Sequence, residues 1–122
     1  MKKIEYSPNA IEKIQQIGSY IAAHFGRTKA TEVKKNITKR IRDLADNENI
    51  GESVEALFGI PTDYRVLFIA HNYVFYRVTT TRILIVNVYN EREDFMFKLF
   101  GISSVDVDAE DYWDDVETEY DG

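Results

Sequence analysis

Between Tyr64 and Tyr89 the chain reads as three runs rich in Val, Ile, Phe and Tyr, joined by connections of about two residues. Such runs suit a pleated, half-buried sheet. Connections this short permit only antiparallel neighbours. The spacing predicts a meander of Tyr64 to Ala70, Tyr73 to Thr79 and Arg82 to Tyr89, with turns at His71-Asn72 and Thr80-Thr81. Alternation then divides the residues between two faces. Val66, Phe68, Val74, Tyr76, Val78, Leu84, Val86 and Val88 are expected on the core side. Arg65, Leu67, Ile69, Tyr73, Phe75, Arg77, Ile83, Ile85, Asn87 and Tyr89 are expected on the other. A solvated sheet face is normally polar. One this apolar asks for cover, either from Phe95 to Ile102, from the chain's end or from another protein.

Upstream, Lys2 to Tyr6 fits a short first strand, and Ser7-Pro8 is a helix start with Ser as N-cap and Pro in the first turn. Ile11, Ile14, Ile17, Ile21 and Phe25 follow as an apolar stripe, and Gly26 suits the cap that ends it. A second helix is expected from about Thr28, with Val33, Ile37, Ile41 and Leu44 inward and Lys34, Lys35, Lys39 and Arg42 opposite. So short a link makes the two helices an antiparallel hairpin. The lysine-rich side reads as a solvated face that could also touch nucleic acid. Asp46 to Asn49 with Gly51 reads as loop, and Ser53 to Gly59 as a connecting segment. The fold class is therefore α+β, with an N-terminal strand and a helical hairpin packed on a small antiparallel sheet.

Charge divides the chain unevenly. Met1 to Gly101 holds all 15 Lys and Arg against 12 of the 21 acids, a balance of +3, while Ile102 to Gly122 holds the other 9 acids and no base, a balance of −9. A basic body with an acidic aromatic tail suggests an interaction segment, against the plainer reading of a solubilising, disordered tail. Tyr112 and Trp113 lie among its carboxylates and could dock on an apolar surface, the tail then competing with a target for the body. With 122 residues, 44% of them hydrophobic, the chain supports one core. Absence of cysteine excludes disulfides and thiolate metal sites and fits a cytoplasmic location. No apolar stretch reaches bilayer length, so no membrane partner is expected. His24 and His71 have no second histidine nearby, so no metal is expected, and with no glycine-rich phosphate loop in the sequence no cofactor is expected either.

The order of strand, helical hairpin and meander carries Tyr64-Arg65-Val66-Leu67, Phe75-Tyr76-Arg77-Val78 and Val88-Tyr89-Asn90-Glu91-Arg92-Glu93-Asp94, after an opening Tyr6-Ser7-Pro8-Asn9-Ala10. It resembles the RelE/ParE superfamily of toxins, which includes plasmid-stabilisation proteins. The likeness covers residues 1–101, taken as the toxin domain; the acidic tail, 102–122, has no counterpart in the usual short member. The resemblance implies growth inhibition within a type II toxin–antitoxin module, with a cognate antitoxin as partner. Two mechanisms occur in that superfamily: RelE-like toxins cleave messenger RNA on the ribosome, and ParE-like toxins act on DNA gyrase. A relative that has lost toxicity and serves as a binding module is a third reading.

Cleavage of RNA by its own 2′-hydroxyl needs a proton acceptor, cations for the phosphorane and a donor for the leaving oxygen. Arg65 and Arg77 are candidate cations, Tyr89 a candidate donor, Arg92 a further cation and Glu55 a conceivable base. Each has a plainer role open to it: Arg65 and Arg77 in cross-strand ion pairs with Glu91 or Asp94, Tyr89 in packing, Arg92 in a solvated charge run. Leu67, Ile69, Phe75, Ile83 and Ile85 are the candidate partner-binding residues of the body, with Tyr112 and Trp113 those of the tail. Against the RelE pattern, Tyr64-Arg65-Val66-Leu67 holds one basic residue where lysines are usual, Val74 stands where an Arg is expected, and a terminal His-Tyr pair is missing. That leans the reading toward ParE-like inhibition, with ribosome-dependent RNA cleavage as the alternative.

Overall fold

The computed structural model describes residues 1–101, so Tyr112 and Trp113 lie outside the described residues. The chain divides into a unit Met1–Glu91 and a second that begins at Arg92. The first contains β1 (Lys3–Tyr6), α1 (Pro8–Phe25), α2 (Arg27–Asp43), β2 (Glu52–Ser53), α3 (Val54–Phe58), β3 (Arg65–Ile69), β4 (Asn72–Val78) and β5 (Arg82–Asn90). The second holds the short helix α4 (Phe95–Phe100), whose N-cap Asp94 accepts from the Phe97 amide. No described helix is long and apolar enough to cross a membrane.

Local chemistry starts and stops the hairpin. The Ser7 hydroxyl accepts from the Ala10 amide at 3.0 Å, giving an otherwise orphaned first-turn N–H a partner. Gly26, at φ +94°, is the only residue between the helices, and that angle is open to glycine at little cost. A one-residue link forces the reversal. Ala10, Ile14, Ile37, Ile41 and Leu44 face the sheet and are almost wholly buried. Ile11 and Phe25, expected on the same stripe, are 47% and 68% exposed. Ile11 shares the face of Ile14 but borders an open groove, and Phe25 sits on the last turn before the link.

The strands lie in the order β1-β5-β4-β3-β2. The predicted meander is present and antiparallel, and β1 joins its edge parallel to β5. A strand that returns through a helical hairpin can pair in parallel, as a tight turn cannot.

The faces differ from expectation, and the turns explain why. Ile69 pairs with Asn72, so the turn residues are Ala70 and His71, both at positive φ (51° and 67°), as the tight hairpin turn with a matching twist requires. A two-residue loop pairs positions whose numbers sum to an odd value. Even residues of β4 therefore share a face with odd residues of β3. Leu67, Ile69, Ile83 and Ile85, expected on the outer face, lie against the helices at 3% exposure or less, with Val74 and Tyr76. Val66, Phe68 and Leu84 pair with Phe75, Tyr73 and Arg77 on the outer face instead. Between Phe75 and Tyr76 the β4–β5 register shifts, with Val86 as the extra residue. The bulge reverses the parity, so the expected sides of Val88 and Tyr89 hold. The Val86 carbonyl accepts from the Ser7 hydroxyl at 2.7 Å, so the residue that caps α1 also satisfies the irregular strand.

Candidate functional site

The meander carries Arg65, Arg77 and Tyr89 on three neighbouring strands, but does not aim them at one point. Arg65 pairs across from Tyr76 and so belongs to the helix side of the sheet, a correction to its expected place beside Arg77. There its Nη2 donates to the Gly51 carbonyl at 2.6 Å and its Nε to the Tyr76 hydroxyl at 3.3 Å. The Tyr76 hydroxyl in turn donates to the Glu48 carbonyl at 2.9 Å and accepts from the Gly51 amide at 3.2 Å. Arg65 thus ties the loop before β2 to the sheet. A guanidinium engaged this way is a structural brace.

Arg77 projects from the outer face. Its Nε and Nη2 reach the two carboxylate oxygens of Asp63 at 3.1 and 2.9 Å, a bidentate pair, and its guanidinium lies 5.8 Å from the Tyr64 ring centroid. The partner is Asp63, not Glu91 or Asp94 as expected; Glu91 instead pairs with His71 Nδ1 at 2.9 Å. The hydrogen bonds from Arg77 hold the Asp63 carboxyl below the usual aspartate range, and Asp63 pushes the guanidinium up. A depressed carboxyl favours the folded state above its unfolded pKa, and that contribution is lost as pH falls through the folded value. The pair is exposed, so its effect on stability is small. Its titration is the better observable. Arg77→Ala is expected to return the Asp63 midpoint, followed by carboxyl-carbon NMR, to about the ordinary 3.9. A midpoint unmoved by the substitution would show that the pair does not form in solution.

Tyr89 is 5% exposed. Its hydroxyl accepts from Asn87 Nδ2 at 3.0 Å, its ring meets Phe75 with centroids 6.0 Å apart, and the Lys13 ammonium lies 5.1 Å from its centroid. Arg92 is an exposed turn residue of the second unit, and Glu55 is exposed on α3. Of the body's five expected partner-binding residues, only Phe75 is on the outer face, and it is fully buried. Leu67, Ile69, Ile83 and Ile85 cannot meet a partner while the core is closed. The exposed apolar groups are others: Phe68 on the outer face, 50% exposed, beside Tyr73, whose ring lies 4.9 Å from that of Phe68 and 6.4 Å from that of Phe58 of α3, and Leu57 of the same helix, also 50% exposed. A correct parity at the Ala70-His71 turn would have placed Phe68 there from sequence. Leu57 had no such signal.

The helix side adds two grooves. One of about 540 Å³ is lined by Ile4, Tyr6, Ile11, Ile14, Thr38 and Arg42, which accounts for the exposure of Ile11. Burial pushes the Tyr6 hydroxyl pKa up, against the opposing pull of Arg42. The other, about 470 Å³, runs between α1 and α2 past Gly18, Ser19, Arg27, Thr31 and Lys34. Among the described residues no group of three or more His, Asp or Glu could hold a metal.

Comparison with known proteins places these features. A family model described as the ParE toxin of the type II toxin–antitoxin system parDE matches residues 4–95. The chromosomal ParDE toxin–antitoxin system from P. aeruginosa contains a chain of similar fold, with a TM-score of 0.63 and 18% identity over 74% of this chain and 96% of that one. A mutant of YafQ from E. coli aligns with a TM-score of 0.44 and 16% identity, over 75% of this chain and 94% of that one. A chain of the E. coli DinJ–YafQ complex aligns with a TM-score of 0.46 and 16% identity, over 83% and 100%. No match was found among curated protein sequences.

Proposed function

The chain belongs to the ParE toxin family of type II toxin–antitoxin systems, and from that premise we propose that it acts in the cytoplasm by inhibiting DNA gyrase, without cutting RNA. The toxin domain of this reading is residues 1–101, with 102–122 an acidic segment appended to it. The observation that carries it is the dispersal of the nuclease candidates. Arg65 braces a loop from the helix side, Arg77 is clamped by Asp63 on the outer face, and the Tyr89 hydroxyl is buried against Asn87. General acid–base cleavage needs its donor, acceptor and cations around one phosphate. A protein that inhibits by binding needs no such convergence.

The partner that silences it is a cognate antitoxin. The half-exposed Phe68 on the outer face, with Leu57 on α3, offers that antitoxin an apolar foothold. Induction of the gene without its antitoxin is expected to arrest growth. The purified full chain is expected to suppress gyrase supercoiling of a plasmid while messenger RNA on ribosomes stays intact. Cleavage of that RNA, abolished by alanine at Arg77 or Tyr89, would replace this reading with the RelE-like one. Normal growth on induction, with gyrase unaffected, would leave only a binding module.

A further inference from the structure

Helix α2 is charged beyond what solubility asks of one helix. It carries seven basic and two acidic residues, a balance of 7 − 2 = +5 over 17 positions. Both acids are already engaged within the helix: Glu32 meets Lys29 at 3.5 Å and Asp43 meets Lys39 at 3.5 Å. Arg27, Lys34, Lys35 and Arg42 are exposed and, among the described residues, have no carboxylate partner. Their spacing is regular. Arg27 and Lys34 are seven residues apart, as are Lys35 and Arg42. Seven residues return to nearly the same helix face after about 10.5 Å. Arg27 and Lys34 border the groove between α1 and α2, and the Lys34 stem lies across Gly18, where a Cβ would come within 2.6 Å of its Cδ. Ser19 and Thr31 add hydroxyls to the same groove.

We propose that this outer face of the helical hairpin binds the phosphate backbone of duplex DNA. Two pairs of cations, each pair about 10.5 Å apart on a rigid helix, suit the dense and regular charge of a duplex, which carries one phosphate per about 1.7 Å of its axis. A single strand has no such fixed repeat. An acidic protein is the less fitting partner, because protein interfaces are built around an apolar centre. Among the described residues none of the exposed large hydrophobics is on α2; those of the hairpin, Ile11, Tyr20 and Phe25, are on α1. Thr28, Thr31, Asn36 and Thr38 stand between the cations instead. Interfaces with DNA are polar and positively charged in just that way. The proposal does not depend on gyrase being the target.

The test is fluorescence anisotropy of a labelled duplex of arbitrary sequence with the full chain, over a salt series. Four phosphate contacts give a slope of log affinity against log salt of about −3.6. Alanine at Lys35 or Arg42 is expected to reduce its magnitude by about 0.9 each. Glutamate at all four positions is expected to weaken binding on the order of 100-fold at low salt, with the circular dichroism spectrum unchanged. Arg82→Ala, whose guanidinium is held by Glu5 at 2.7 Å, serves as the neutral control. Three results would overturn the proposal: no duplex binding at low salt, a slope indifferent to the four cations, or tighter binding of a polyglutamate peptide or a single strand by the same residues. Loss of duplex binding with gyrase inhibition intact would leave the proposed function standing, and the reverse would leave this one.

Discussion

Gly51→Ala is expected to cost about 3–4 kcal/mol of folding stability, although it adds a single methyl group to a loop. A Cβ at Gly51 would come within 2.6 Å of the Tyr76 hydroxyl oxygen and 2.6 Å of the Val66 carbonyl oxygen. Neither neighbour can give way. Val66 is in β3, and Tyr76 is fully buried in the core. The loop itself must therefore lift. Lifting it breaks the bond from the Gly51 amide to the Tyr76 hydroxyl and that from Arg65 to the Gly51 carbonyl, and strains that from Tyr76 to the Glu48 carbonyl. Overpacking costs about 1–3 kcal/mol and each hydrogen bond lost about 0.5–1.5 more. For a body of this size the melting temperature should fall on the order of 15–25 °C. Urea unfolding of Gly51→Ala, Tyr76→Phe and the double variant separates the causes. Removing the hydroxyl relieves one clash, so the double variant is expected to be more stable than the sum of the single losses allows. A Gly51→Ala protein within about 1 kcal/mol of the parent would mean that the loop does not approach Tyr76 as closely as described.

That network also shows where reading the sequence stops. Strand composition, the Ser7-Pro8 start and the Gly26 break are local signals, and the helical hairpin and meander follow from them. Arg65 carries no local sign of its role, because its partners are 14 and 11 residues away and one of them is a backbone carbonyl. As a cation in a strand it resembles Arg77 completely. Only the register shows that one braces a loop inside and the other stands outside with Asp63. A turn placed one residue late makes core residues such as Leu67 and Ile69 look like a docking surface and sends Phe68, the exposed one, to the interior. A period of two is unforgiving: a slip of one residue sends every side chain to the other face. The basic face of α2 is legible because helix periodicity and charge need no partner strand to be read.

The corrected parity makes a sharp contrast between adjacent residues of β5. Ile85→Ala is expected to cost about 3–4 kcal/mol, and Leu84→Ala no more than about 1 kcal/mol. Ile85 is fully buried beneath the hairpin and pairs with Tyr76, so truncation leaves a cavity that Ile37, Ile41 and Val74, themselves packed, cannot fill. Leu84 is half-buried opposite Arg77 on the outer face, where solvent or a shifting side chain replaces the lost methyls. Beyond the bulge at Val86 the pattern should invert, with the even-numbered Val88 the sensitive position. Chemical denaturation of the three alanine variants reads the faces directly. Equal losses at Leu84 and Ile85 would mean that the strand is not held in this register, and Phe68 would lose its place on the outer face with it. If the contrast holds, Leu84→Ala is also the variant of choice for probing the antitoxin surface, since it alters the outer face while leaving the fold intact.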